Sequence, residues 1–313
     1  MLHSIKFRAM NCDVTVWLDC DSSSAGVLNE VPEWLEEIER RLSRFRPESE
    51  ISRLNRHIDE WVEVSGLLLA NIVAAKRGAH QTGGFFNPLI LSNLSRLGYH
   101  SSIECIQKSG PPIEKEAISV PSCDDIRVDM LRSRVRIPAP IDLGGIAKGW
   151  TADQVCRRLS RIGPCLSNIG GDIAVHSVPR GQAYWSIRVG HGRQFDSAPL
   201  QIGLCSGAVV TSGIMRRCWE RGGISFHHII DPRSGNAAAT DVIASTVIHQ
   251  DASVAECWAK VAILLGSVDG LRWIDEQETG AALVVRDNGD TLWSQRFSSY
   301  LIPSEAASIG VDG

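Results

Sequence analysis

The densest run of chemistry-bearing residues is Ile141-Asp142-Leu143-Gly144-Gly145-Ile146-Ala147-Lys148-Gly149. It follows a β-prone segment over residues 134–138. It precedes a helical period in which Val155, Leu159 and Ile162 fall at i, i+4 and i+7, with Gly163 and Pro164 as the predicted stop. Glycines between a strand and the first turn of a helix leave backbone N–H groups free at the positive end of the helix dipole, where phosphate binds. Lys148 adds a cation at that point. Asp142 adds a carboxylate able to accept ribose hydroxyls or share in a metal site. The same residues are equally compatible with a tight turn and a solvated lysine. The spacing fits neither a Walker A loop nor the G-x-G-x-x-G dinucleotide pattern.

Other stretches carry weaker signals. Gly170-Gly171-Asp172 interrupts an apolar strand pattern, which points to a bulge or to a ligand close to the backbone. The strand pattern over 208–213 ends on Thr211, Ser212 and a glycine, a way to place donors at a ligand or an ordinary turn. In His227-His228-Ile229-Ile230-Asp231-Pro232-Arg233-Ser234-Gly235, adjacent strand histidines face opposite ways, so at most one reaches a given site. A satisfied structural histidine is the plainer reading. Phe45 beside Arg46 offers either a stacking surface for a planar ring or an ordinary core residue. The loop Phe85-Phe86-Asn87 carries two aromatics and an amide.

The elements that must position these residues are legible from periodicity. Val14, Val16 and Leu18 alternate as a strand; Trp34, Leu35, Ile38 and Leu42 form one helical face behind Pro32. Ser49 and Ser65 are predicted helix caps, and Leu68, Ile72 and Ala75 follow Ser65 as a helix. Residues 101–125, without clear period, read as a surface connection. Trp185, Ile187 and Val189 alternate as a strand. Asp251 or Ser253 is expected to cap a helix whose stripe is Val254, Trp258, Val261 and Leu265. Asn288-Gly289 between apolar runs predicts a hairpin. Helices and strands alternate irregularly, so the expected fold class is α+β, a mixed and largely antiparallel sheet with packed helices, in a single domain over 1–313.

Composition narrows the function. The 313 residues are 43% hydrophobic, with a net charge of −4, which gives no basic field and makes nucleic acid an unexpected partner. Nine cysteines without CxxC spacing read as reduced thiols rather than a disulfide framework or zinc site. The first residues lack an apolar signal core, and no stretch has the length of a membrane span, so the expected location is the cytoplasm.

Five motifs in order carry a family resemblance: Arg46-Pro47-Glu48-Ser49-Glu50-Ile51-Ser52-Arg53-Leu54-Asn55, then 142–149, Gly170-Gly171-Asp172, Thr211-Ser212-Gly213, and 228–235. From about Met10 to Trp293 the chain resembles the ApbE-type flavin transferases, the FAD:protein FMN transferases. The resemblance implies an enzyme using FAD and magnesium: a Thr or Ser hydroxyl of a partner flavoprotein attacks the FMN-side phosphorus and AMP leaves. It implies that Met10, Phe45 and Phe85-Phe86-Asn87 line the FAD pocket, that Asp142 and Lys148 contact FAD, and that the Gly145 carbonyl reaches the metal. By the same resemblance Ile229 meets the flavin nucleotide, Asp172, Thr211 and Ser212 belong to the cofactor site, and His228 handles a proton. Lys148→Ala is then expected to weaken FAD binding with little loss of thermal stability.

The chain departs from that family at Met10-Asn11-Cys12 and Asn87-Pro88-Leu89, where Met-Gly-Thr and Asp-Pro-Thr are usual. It departs again at Ala255-Glu256-Cys257-Trp258-Ala259-Lys260, where the usual Asp and Thr ligate the metal. Glu256 keeps an oxygen ligand; Lys260 has only donors and cannot ligate Mg²⁺. On a solvated helix face the pair would be an i,i+4 ion pair contributing about 0.2–0.5 kcal/mol. At the metal site Lys260 would weaken or replace the ion. Two further readings stay open: an FAD-binding protein without chemistry, and an FAD pyrophosphatase in which water attacks.

Overall fold

A computed structural model describes residues 1–113, 116, 118–189, 200–302 and 310–312. Eight strands form the main sheet: β1 (Leu2–Ala9), β2 (Cys12–Asp19), β3 (Cys165–Ile169), β4 (Asp172–His176), β5 (Gly207–Gly213), β6 (Val242–His249), β7 (Ala281–Arg286) and β8 (Thr291–Trp293). Their order in space is their order in the chain, and every neighbouring pair is antiparallel. The pleat sends successive side chains to opposite faces. Val14, Val16, Leu18, Ala208 and Val210 therefore join one apolar cluster, while Leu166, Ile173, Val175 and Val209 join another.

The first face is covered by helices α1 (Val31–Leu42), α2 (Gly66–Gln81), α3 (Ala147–Leu159), α4 (Ala252–Leu265) and α5 (Ser267–Glu276). The α1 stripe is Val31, Leu35, Ile38 and Leu42, all buried, with Trp34 at its edge under the Arg158 guanidinium. Each such buried side chain contributes about 1.5–3 kcal/mol. The second face is covered by Trp185–Val189 and Leu200–Leu204, which pair antiparallel; Gly310–Asp312 joins them in parallel. The fold is α+β and largely antiparallel, as its patterning suggests.

Several local expectations hold. The Ser49 and Ser65 hydroxyls accept from the N–H groups of Ser52 and Leu68, each at 3.2 Å. The Asn288-Gly289 turn closes β7 onto β8, with Gly289 at φ 91°. Others are corrected. Helix α3 ends at Leu159 and leaves Ile162 exposed, because the chain turns at Gly163, where an added Cβ would lie 2.2 Å from the Asp19 carbonyl oxygen. The connection after residue 101 is not wholly superficial. Ile106 is buried with Leu94, Leu97, Tyr99, Trp219 and Ile230, and Cys123 with the main core. All nine cysteines are free thiols. Among the described residues, no helix is long and apolar enough to cross a membrane.

Candidate active site

Helices α3 and α4 cross beside the ends of β4 and β5, and the crossing is unusually close. An added Cβ on Gly149 would lie 2.5 Å from the Ala252 carbonyl oxygen, so only glycine permits the approach. Each helix then caps the other. The Glu256 carboxylate of α4 accepts from Gly149 N–H in the first turn of α3, at 2.9 Å. Asp153 of α3 accepts from Ala252 and Ser253 N–H at the start of α4, at 2.9 and 3.0 Å. The expected caps Asp251 and Ser253 are not used; Asp251 holds the cap position without a side-chain bond. Burial pushes Asp153 up to about 6, partly opposed by the two N–H groups it accepts from.

This crossing brings the charged residues together. Lys148 Nζ binds Asp172 Oδ2 and lies 4.0 Å from Glu256 Oε1. Lys260 Nζ lies 3.4 Å from the same Glu256 Oε1 and donates to the Glu256 carbonyl at 3.1 Å. Glu256 is 2% exposed and Asp172 0%, so the surface ion-pair reading of Glu256 and Lys260 is wrong. Burial works against the charge on Lys148, but Asp172 and then Glu256 outweigh it and keep the ammonium protonated. Burial pushes Asp172 up to about 6; Lys148 opposes this and Glu256 adds to it. Lys148 is therefore wedged between buried acids rather than solvated. Removing it strands Asp172, so the structure predicts a stability loss for Lys148→Ala where the sequence suggested almost none.

Two cavities open over these charges. A narrow slot of about 80 Å³ is lined by Phe45, Phe85, Phe86, Tyr99 and Ile229, with Asn87, Asp142, Gly144 and Gly145 at its edges. A cleft of about 730 Å³ is lined by Lys148, Glu256, Thr211, Ser212 and Gly170 among others. They meet at Gly144, Arg217, His228 and Lys260, which line both. Asp142 organises the Gly-rich turn: it accepts from Gly144 N–H at 2.7 Å and from Arg44 Nε at 3.1 Å. Thr211 shares its hydroxyl with Thr246 at 2.9 Å. The Asn87 amide is spent on backbone groups, accepting from Leu89 N–H and donating to the Pro121 carbonyl, both at 2.9 Å.

The strand Ile224–His227 ends on the first histidine and His228 sits in the bend after it, yet the two rings still divide. His227 Nε2 bonds the Ala238 carbonyl at 2.9 Å and its Nδ1 accepts from Ile229 N–H at 3.3 Å, a structural and neutral ring. His228 faces the cavities, and its Nδ1 has no partner among the described residues. Burial pushes His228 well below the usual imidazole range, with Arg217, Lys260 and His227 adding to it, so the ring is neutral at pH 7.

Most of the expected site residues converge; Met10 does not. It sits in the β1–β2 turn at φ 52°, its N–H bound to Glu39 at 2.8 Å, and lines neither cavity. Asp172 lies beneath the cleft through Lys148. The arginine over Phe45 is Arg44, 4.1 Å from the ring centroid, whereas Arg46 turns outward to Glu36 and Glu39. Arg217 and Tyr99 escaped the sequence reading. The dibasic Arg216-Arg217 soon after Thr-Ser-Gly is the one signal that points to Arg217. Tyr99 stacks on Trp219 at 5.3 Å between centroids, a pairing across the fold with no local trace.

The magnesium implied by the resemblance does not fit these groups. Mg²⁺ demands a near-octahedral set of oxygens. Here Glu256 Oε2 is taken by Gly149 N–H, Glu256 Oε1 faces two ammonium groups, and Asp172 Oδ2 holds Lys148. Asp172 Oδ1 alone is unpartnered, and the described residues contain no cluster of three His, Cys, Asp or Glu able to hold a metal.

Comparison with known proteins gives a consistent answer. The profile of the ApbE family matches residues 9–285. An FAD:protein FMN transferase of Treponema pallidum is 31% identical over 264 residues, covering 76% of this chain and 71% of that one. One from Klebsiella pneumoniae is 29% identical over 296 residues, covering 87% and 86%. The crystal structure of the ApbE protein of Thermotoga maritima superposes with a TM-score of 0.85 at 25% identity, over 97% of this chain and 100% of that one.

Proposed function

Because the chain belongs to the ApbE family, we propose that it is an FAD:protein FMN transferase acting on a Thr or Ser hydroxyl of a partner flavoprotein. The observation that carries this reading is the joined pair of cavities. An aromatic slot suited to the edge of a planar ring runs into a cationic cleft suited to a pyrophosphate. In this reading Phe45, Phe85, Phe86, Tyr99 and Ile229 receive the flavin. The turn at Gly144 and Gly145, Lys148 and Arg217 receive the phosphates. Asp142 acts mainly by fixing that turn.

The acceptor oxygen forms a bond to the FMN-side phosphorus as the bond to the AMP oxygen breaks. Lys148 and Arg217 offset the charge moving onto the departing AMP. The neutral His228, with a free Nδ1, takes the hydroxyl proton. No step is assigned to magnesium, since the carboxylates that would hold it are engaged. The reading treats 1–313 as one working unit, because both faces of one sheet supply its core. Nine free thiols support a cytoplasmic setting.

The test is incubation with FAD and a Thr-bearing acceptor peptide, following AMP and peptide mass. Flavinylated peptide with equimolar AMP is expected. His228→Ala should slow AMP release by about 10²–10⁴-fold at little-changed FAD affinity. Free FMN with AMP would mean that water is the acceptor, and intact FAD would remove the transferase reading.

A further inference from the structure

Resting on that flavin-transfer reading, we propose that this chain holds the pyrophosphate of FAD without a divalent cation, in a cradle of Lys148, Lys260 and Arg217. The three come from separate elements: the first turn of α3, the third turn of α4, and the segment after β5. All three line one cleft, and Lys260 and Arg217 also line the slot. The two lysines are held from below. Asp172 binds Lys148, and Glu256 Oε1 lies 4.0 Å from Lys148 and 3.4 Å from Lys260. Glu256 is itself fixed by Gly149 N–H at 2.9 Å.

Three cations over two carboxylates give the cradle itself a surplus of one positive charge. Each ammonium has three donors, so both lysines keep capacity for phosphate oxygens after binding their acids. Lys is an effective point-charge phosphate binder and needs no coordination geometry.

The Gly-rich turn is shaped around Lys260. An added Cβ on Gly145 would lie 3.2 Å from Lys260 Cε and 3.1 Å from the Phe86 ring. The lysine stem therefore passes against the bare backbone of residue 145 and delivers its charge where the slot opens into the cleft. A divalent ion placed on Glu256 or Asp172 would have to displace an ammonium already bonded there. In a site largely shielded from water that repulsion is poorly screened. The cationic role is thus filled by side chains of the fold.

The experiment compares FAD affinity, by quenching of flavin fluorescence, with AMP release. Wild type, Lys260→Thr and Lys260→Arg are each measured in EDTA and in Mg²⁺, with thermal melts to confirm folding. Wild-type affinity should agree within about twofold between EDTA and Mg²⁺, and AMP release should persist in EDTA. In EDTA, Lys260→Thr should lose about tenfold or more in affinity, while Lys260→Arg, which keeps the charge, stays close to wild type. A tenfold fall of wild-type affinity in EDTA overturns the proposal, as does Lys260→Thr binding like wild type without metal. If a variant fails to fold, the wild-type comparison decides. Absence of FAD binding in both conditions would overturn the flavin reading itself, an outcome separate from metal-dependent binding.

Discussion

The reciprocal caps between α3 and α4 allow a prediction at Asp153, a residue that touches neither cavity lining. Its carboxylate accepts from Ala252 and Ser253 N–H at 2.9 and 3.0 Å. Asp153→Ala orphans two N–H groups in a packed helix start, at about 1–3 kcal/mol each. Against this, burial pushes the carboxyl up to about 6 even with those two bonds opposing it, so part of the loss is offset by no longer burying a charge. The net expected loss is about 1–2 kcal/mol, close to the usual effect of removing a cap. Asp153→Asn keeps one acceptor and sheds the charge, so it should lie within about 1 kcal/mol of wild type at pH 7. The sign of the pH effect follows from the raised value. Between about 6 and 3.8 the native carboxyl holds a proton that the unfolded chain does not, so wild-type stability from this group rises as pH falls. From pH 7 to 5 the wild type should gain about 1 kcal/mol on Asp153→Asn. Urea denaturation at the two pH values measures both quantities. Asp153→Ala matching wild type at pH 7, with an Asn gap that ignores pH, would refute the capping argument.

Two further substitutions probe the same crossing. Lys148→Met leaves Asp172 without its partner and removes one of the two ammonium groups beside Glu256, and should cost about 3 kcal/mol at alkaline pH, shrinking as pH falls towards about 6 because Asp172, no longer held down by Lys148, takes its proton at higher pH than in wild type; a melting curve unchanged from wild type would contradict the wedged lysine. Gly149→Ala places a methyl 2.5 Å from the Ala252 carbonyl oxygen, so the helices must part at about 1–3 kcal/mol, with FAD affinity falling as Lys148 and Lys260 lose their spacing; unchanged affinity and stability would show that the crossing tolerates separation.

What was legible in the sequence was mostly local. Ser49, Ser65 and the Asn288-Gly289 turn act through bonds within a few residues, and period-two alternation marks β2 because half of each strand faces one core. Glu256 shows where locality ends. Period placed it off the Val254/Trp258/Val261 stripe and therefore toward water, a sound inference for a helix with one buried face. Helix α4 is buried nearly all round, between sheet, α3 and the cavities, so its polar side faces the cleft. Only the family resemblance pointed it inward, and Glu256 lines the cleft. Asp153 as a cap, Arg217 and the Tyr99–Trp219 stack join residues about a hundred positions or more apart and leave no periodic trace.

The order of the main sheet has a consequence for how the chain reaches this state. Strands β4 to β8 each pair with the strand just before them in the sheet order, over connections of moderate length. The β1–β2 hairpin pairs within residues 2–19 but cannot dock until β3 emerges, beyond residues 20–164. During vectorial synthesis the apolar face of Val14, Val16 and Leu18 has no further strand to join until residues 165–169 exist. Closing so long an excursion makes this docking a high-contact-order step. The β1–β2 hairpin also supplies Asn11, Cys12 and Asp13 to the cleft, so the cleft is completed only when that hairpin docks on a strand about 150 residues away in the chain.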